Sequence, residues 1–177
     1  MSEAKMSTLN VFWDTVLTGR LTKIGGQEMS FQYSDNYLES KHPQPISLSL
    51  PLQAEAFDGY ISKSWFANLL PEGEMRGHIA RKLGVSERNE FAILNGIGGD
   101  CAGALRLLPE SAQNITEGKL IQLPWDELET KIASTPRPSL LALVLQEGTL
   151  RLSLAGAQDK LPVHISNGNL ALPSGHA

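Results

Sequence analysis

A single cysteine, Cys101, stands in a chain of 177 residues, so no internal disulfide can form and the chain suits a reducing compartment. Basic residues are few: 15 Lys and Arg against 19 Asp and Glu leave a net charge of -4. A broad basic face for nucleic acid is therefore not expected on this chain, and any DNA contact would come through a partner. Long apolar runs are missing too; none approaches the ~20 residues that a membrane helix needs. The opening residues Met1–Met6 hold no apolar core of the signal-peptide kind, which leads us to expect a cytoplasmic protein without membrane attachment. Repeats and low-complexity tracts are lacking as well. Histidines His42, His78, His164 and His176 are scattered, with no HExxH and no paired-cysteine spacing, so no metal site is expected.

What the chain does have is 41% hydrophobic residues, enough to support a core, arranged in two different periods. The first 50 residues read as a small antiparallel sheet. Asn10–Trp13 and Gly19–Lys23 form two strands around a turn at Asp14–Thr18, and Met29–Tyr33 forms a third after Gly25-Gly26. Ser34-Asp35 caps a short turn through Tyr37-Leu38. Ile46–Leu50 alternates cleanly and is expected to be an edge or short strand, given Pro43, Pro45 and Pro51 around it.

Helical spacing then takes over. Ile61, Trp65, Phe66, Leu69 and Leu70 fall on one face of a helix over 60–70, which Pro71 ends. Met75, Ile79 and Leu83 mark a second helix closed by Gly84, with Glu72, Glu74, Arg76, Arg81 and Lys82 on a solvated face. Phe91, Leu94 and Ile97 mark a third, introduced by Ser86–Asn89 and closed by Gly98-Gly99. A strand follows over Ala102–Leu108, then a polar loop from Pro109 to Gly118. Leu123-Pro124 opens a further helix to about Ala133, broken by Thr135–Pro138, where we expect one module to give way to the next.

Near the C-terminus, Thr149–Leu152 and Leu161–Ile165 read as strands around Ser153-Leu154-Ala155-Gly156-Ala157-Gln158-Asp159-Lys160. Small residues let backbone come close to an anion, and successive N–H groups can cradle phosphate oxygens. By itself this hairpin reads more readily as a plain turn with Ser153 bonding its own backbone, and Lys160 serves equally well as a solvated lysine at a strand end. Cys101 beside Asp100 reads as a small buried hydrophobe rather than a nucleophile.

Ser153–Lys160, SLAGAQDK, resembles the signature loop of the HipA family, the serine/threonine kinase toxins of bacterial toxin–antitoxin pairs. Phe66–Gly73, FANLLPEG, resembles the family's FxNLLPEG motif, and Gly98–Leu105, GGDCAGAL, resembles its GxDxxGAL motif. Three blocks in the family's order, over about 95 residues, are far more specific than any one of them. The resemblance runs from about Val11 to Ala177.

It implies an α+β fold: a small antiparallel sheet with a three-helix segment over 1–110, a connecting loop and helix over 111–138, and the first strands of a protein-kinase-like N-lobe over 139–177. It also implies that Ser153 is an autophosphorylation site and that Leu154, Ala155, Gly156, Ala157, Gln158, Asp159 and Lys160 cover the phosphates of ATP. Mg²⁺ would accompany ATP in the full-length family, with a translation component of the aminoacyl-tRNA synthetase class as substrate and a small helix-turn-helix antitoxin (HipB-like) as partner. The family's catalytic-base and metal-binding aspartates are expected downstream of Ala177. No catalytic residue is therefore assigned here, and the chain alone is expected to be inactive and to bind no nucleotide. A different reading, a stand-alone module that docks onto such a kinase and neutralises it, is opposed by Leu150–Pro173, which resembles the kinase's own loop and strands.

Overall fold

The computed structural model describes residues 7–100, 104–112, 119–134 and 163–174. Four strands make the first sheet: β1 (Thr8–Trp13), β2 (Val16–Gly25), β3 (Glu28–Tyr33) and β4 (Leu105–Pro109). They lie in the order β3-β2-β1-β4 with every pairing antiparallel. Asp14 and Thr15 alone join β1 to β2, so β2 begins at Val16, three residues before the expected Gly19. Asp14 takes a left-handed φ of 55°, which a short polar side chain tolerates better than most. Its N–H donates to the Ala104 carbonyl at 3.0 Å, tying this turn to the entry of β4.

Alternation along the strands sends Leu9 and Val11, Leu21, Met29, Phe31 and Tyr33, and Leu105 and Leu107 into one core. Four helices follow β3 in the chain: α1 (Asp35–Leu38), α2 (Gly59–Ala67), α3 (Gly73–Leu83) and α4 (Glu90–Ile97). Phe66, Ile79, Ala80, Phe91, Ile93 and Leu94 bring the last three into that same core. Burying a side chain such as Phe66, which is fully covered, stabilises the fold by about 1.5–3 kcal/mol. Three of the four starts carry a side-chain cap. Ser34, Asp58 and Asn89 accept N–H bonds from Tyr37, Ile61 and Ala92, capping α1, α2 and α4. Gly84, at φ 67°, closes α3 as expected.

Two expectations give way here. Residues Ile46–Leu50 form a turn with one bridge, Ser47 to Leu50, rather than a strand. Side chains and one backbone bond replace a ladder: the Tyr33 hydroxyl accepts from Ile46 N–H and donates to Leu50 C=O, the Ser47 hydroxyl accepts from Ser49 N–H, and Leu50 N–H donates to the Ser47 carbonyl. Leu48 consequently points outward while Leu50 is buried. Helix α2 also ends at Ala67, short of Leu70. Asn68, Leu69 and Leu70 tighten into bonds three residues back, onto Trp65, Phe66 and Ala67, before Pro71.

A second sheet has the order β5-β7-β6, from β5 (Lys119–Gln122), β6 (His164–Ser166) and β7 (Asn169–Ser174). Strand β5 falls where no strand was expected, directly after the polar loop. The β6–β7 turn is Asn167-Gly168, with φ 50° and 77°, the left-handed pair that two-residue hairpins favour. Helix α5 (Trp125–Ser134) starts after Pro124, and the Trp125 indole N–H donates to the Gly168 carbonyl at 2.9 Å. Leu123, Leu170 and Leu172 form a small core of their own, with Leu128 of α5 against it. Among the described residues no helix is long and apolar enough to cross a membrane.

Candidate functional site

Two of the three sequence blocks lie largely within the described residues, and their side chains divide between architecture and surface. In Phe66–Gly73, Phe66 and Leu70 turn into the core, Phe66 with its ring centroid 5.3 Å from that of Phe31. Trp65, just before the block, and Leu69 are partly buried against the same core. Asn68 and Glu72 face outward. Glu72 holds the N-cap position of α3 without a side-chain capping bond, and Gly73 next to it has φ 59°. A left-handed residue at this junction between α2 and α3 favours glycine.

The second block works by close approach. Gly98 and Gly99 lead from α4 into a 3₁₀ turn (Gly98–Asp100) that runs up against β4. A methyl group on Gly98 would sit 2.8 Å from both Leu107 Cβ and the Leu107 carbonyl oxygen, so only glycine lets the turn reach the strand. Arg106 Nε reaches back to the Gly99 carbonyl at 3.4 Å. Cys101 lies outside the described residues, as does His176.

An ionic cluster holds α2, α3 and α4 together. Glu90, at the start of α4, takes Arg76 Nη2 of α3 at 3.1 Å and Lys63 Nζ of α2 at 3.7 Å. Arg76 Nε also donates to the Glu87 carbonyl at 2.8 Å. Of the five residues expected on a solvated face, Glu72, Glu74, Arg81 and Lys82 are exposed and Arg76 is not. Arg76 is turned into this cluster by the Glu90 carboxylate, 14 residues after it, and the Glu87 carbonyl, 11 after it, which no local pattern reveals. A carboxylate in the first turn of α4 is also favoured by the partial positive charge there.

The loop Ser153 with Leu154, Ala155, Gly156, Ala157, Gln158, Asp159 and Lys160 lies outside the described residues, as does the strand expected at Thr149–Leu152. Of the strand expected over Leu161–Ile165, His164 and Ile165 fall in β6. His42, His78 and His164 are exposed, and among the described residues no three His, Cys, Asp or Glu side chains come together as a metal site. The described residues lie outside the expected phosphate-covering loop, and no step of phosphoryl transfer is derived from them. Within them a four-stranded sheet and helices α2, α3 and α4 are joined by two glycine turns and an ionic cluster.

This is an α+β module with antiparallel sheets, and its matched residues are those of a known family. Residues 9–108 match the family model described as the HipA N-terminal domain, and the chain belongs to the HipA family. Y4mE of Sinorhizobium fredii (strain NGR234), provisionally named a kinase, is 43% identical over 173 residues, covering 96% of this chain and 41% of its own length. The serine/threonine-protein kinase toxin HipA of Shewanella oneidensis (strain MR-1) is 30% identical over 176 residues, covering 99% of this chain and 39% of its own. In solved structures, the complex of the Shewanella oneidensis HipA, HipB and operator DNA contains a chain that superposes with a TM-score of 0.71 at 26% identity. That likeness covers 94% of this chain and 38% of the other. The chain thus spans about two fifths of the length of the relatives it matches.

Proposed function

We propose that this chain is the N-terminal part of a toxin of a type II toxin–antitoxin system, a protein serine/threonine kinase that uses ATP and Mg²⁺. The observation that carries this reading is the extent of the match to the Shewanella oneidensis HipA toxin. It runs over 99% of the chain and so takes in the loop at 153–160. In this reading the first sheet and its helices, within residues 1–110, are the N-terminal module, 111–138 connect it, and 139–177 begin the kinase N-lobe. Backbone N–H groups of Leu154–Lys160 cover the ATP phosphates, with Gly156 allowing close approach and Lys160 adding positive charge.

Ser153 is the autophosphorylated residue. A phosphate there adds a charge of about −1.5 to −2, which competes for the same N–H donors or pulls the loop out of shape. The substrate is a translation component of the aminoacyl-tRNA synthetase class. A HipB-like helix-turn-helix antitoxin is the partner, and through it an acidic chain joins a DNA-bound complex in the cytoplasm. The likeness to a chain solved together with HipB and operator DNA supports this. The catalytic and metal-binding aspartates lie in the remaining three fifths of the family's length, so the 177 residues alone do not transfer phosphate.

The test is phosphosite mapping on the chain carried to the family's full length. Incubated with ATP and Mg²⁺, it should acquire one phosphate at Ser153, and Ser153→Ala should acquire none. Unchanged phosphate uptake by Ser153→Ala would overturn the assignment.

A further inference from the structure

We draw no further inference here: the strongest candidate, the loop between α1 and α2 that Tyr33 and Tyr37 pin in place and that carries Leu48 at 97% exposure, is an unpartnered apolar surface, and nothing in the structure shows what covers it.

Discussion

The Tyr33 hydroxyl donates to the Leu50 carbonyl at 2.6 Å, and the same oxygen accepts from Ile46 N–H at 2.9 Å. One buried phenol thus closes both ends of a turn that lacks a strand partner. Beside it the Tyr37 ring stacks at 6.0 Å, and its hydroxyl donates to the Gln44 carbonyl and accepts from Gln44 N–H. The two tyrosines hold the segment Gln44–Leu50 against the sheet through four hydrogen bonds.

Tyr33→Phe keeps the ring and removes the oxygen, leaving the Ile46 donor and Leu50 acceptor short of their partner. The expected loss is about 1–3 kcal/mol in denaturant unfolding, with faster hydrogen exchange at Ile46 than in β1. The wild-type protein should also show a pH dependence that the variant lacks. Burial pushes the Tyr33 hydroxyl above its ordinary value of 10.0; the bond from Ile46 works against this, and Tyr37 adds to it. Below about pH 10 both folded and unfolded chains keep the proton, and this group adds no slope. Above it the unfolded chain loses its proton first, so stability falls as pH rises. Unfolding free energies of the two proteins between pH 8 and 11, within the range where both stay folded, test this.

Arg76 and Glu90 should be energetically coupled although they belong to different helices. The Glu90 carboxylate is 13% exposed and the Arg76 guanidinium side chain 23%, so solvent screening is incomplete. A double-mutant cycle with Arg76→Ala and Glu90→Ala should give a coupling of about 1 kcal/mol, larger than for an exposed pair. The pair Arg20 and Glu110, at 3.8 Å and 58% exposed on both sides, is the internal control and should couple weakly.

Much of this fold is legible in the residues. The Asn89 cap, the Gly84 closure and the split of Trp65, Phe66, Leu69 and Leu70 toward the core follow from local chemistry and helical spacing. Ile46–Leu50 misleads because the same alternation that marks a strand also serves a turn whose ends are buried and whose tip, Leu48, is not. Strand β5 hides for another reason: Lys119–Gln122 is four residues long, and its partner, Ala171–Ser174, comes some 50 residues later. Ile61 and Leu83 sit at helical spacing yet are each 37% exposed, since a helix face is wider than the stripe its neighbours cover. The phosphate-covering role proposed for Leu154–Lys160 rests on resemblance alone, because small residues in a hairpin serve plain turns as readily as nucleotide loops.

Glycines should separate crowding from backbone strain. Gly98→Ala drives a methyl group onto the Leu107 backbone, which cannot yield by rotating a side chain, and should cost about 1–3 kcal/mol. Gly84→Ala meets no atom within 4 Å but must hold φ 67°, and should cost about 1–2 kcal/mol. Gly25→Ala, with open space and no positive φ, should change stability by less than either. Thermal unfolding of the three variants ranks them.

Nucleotide binding tests the central claim most directly. Isothermal calorimetry with ATP and Mg²⁺ is run on the 177-residue chain and on the chain carried to the family's full length. The account predicts no measurable binding by the short chain and clear, saturable binding by the long one, abolished in the long one when Gly156→Asp blocks the phosphate-covering loop. Saturable binding by the 177 residues alone, or binding by the long chain that ignores Gly156→Asp, would contradict it.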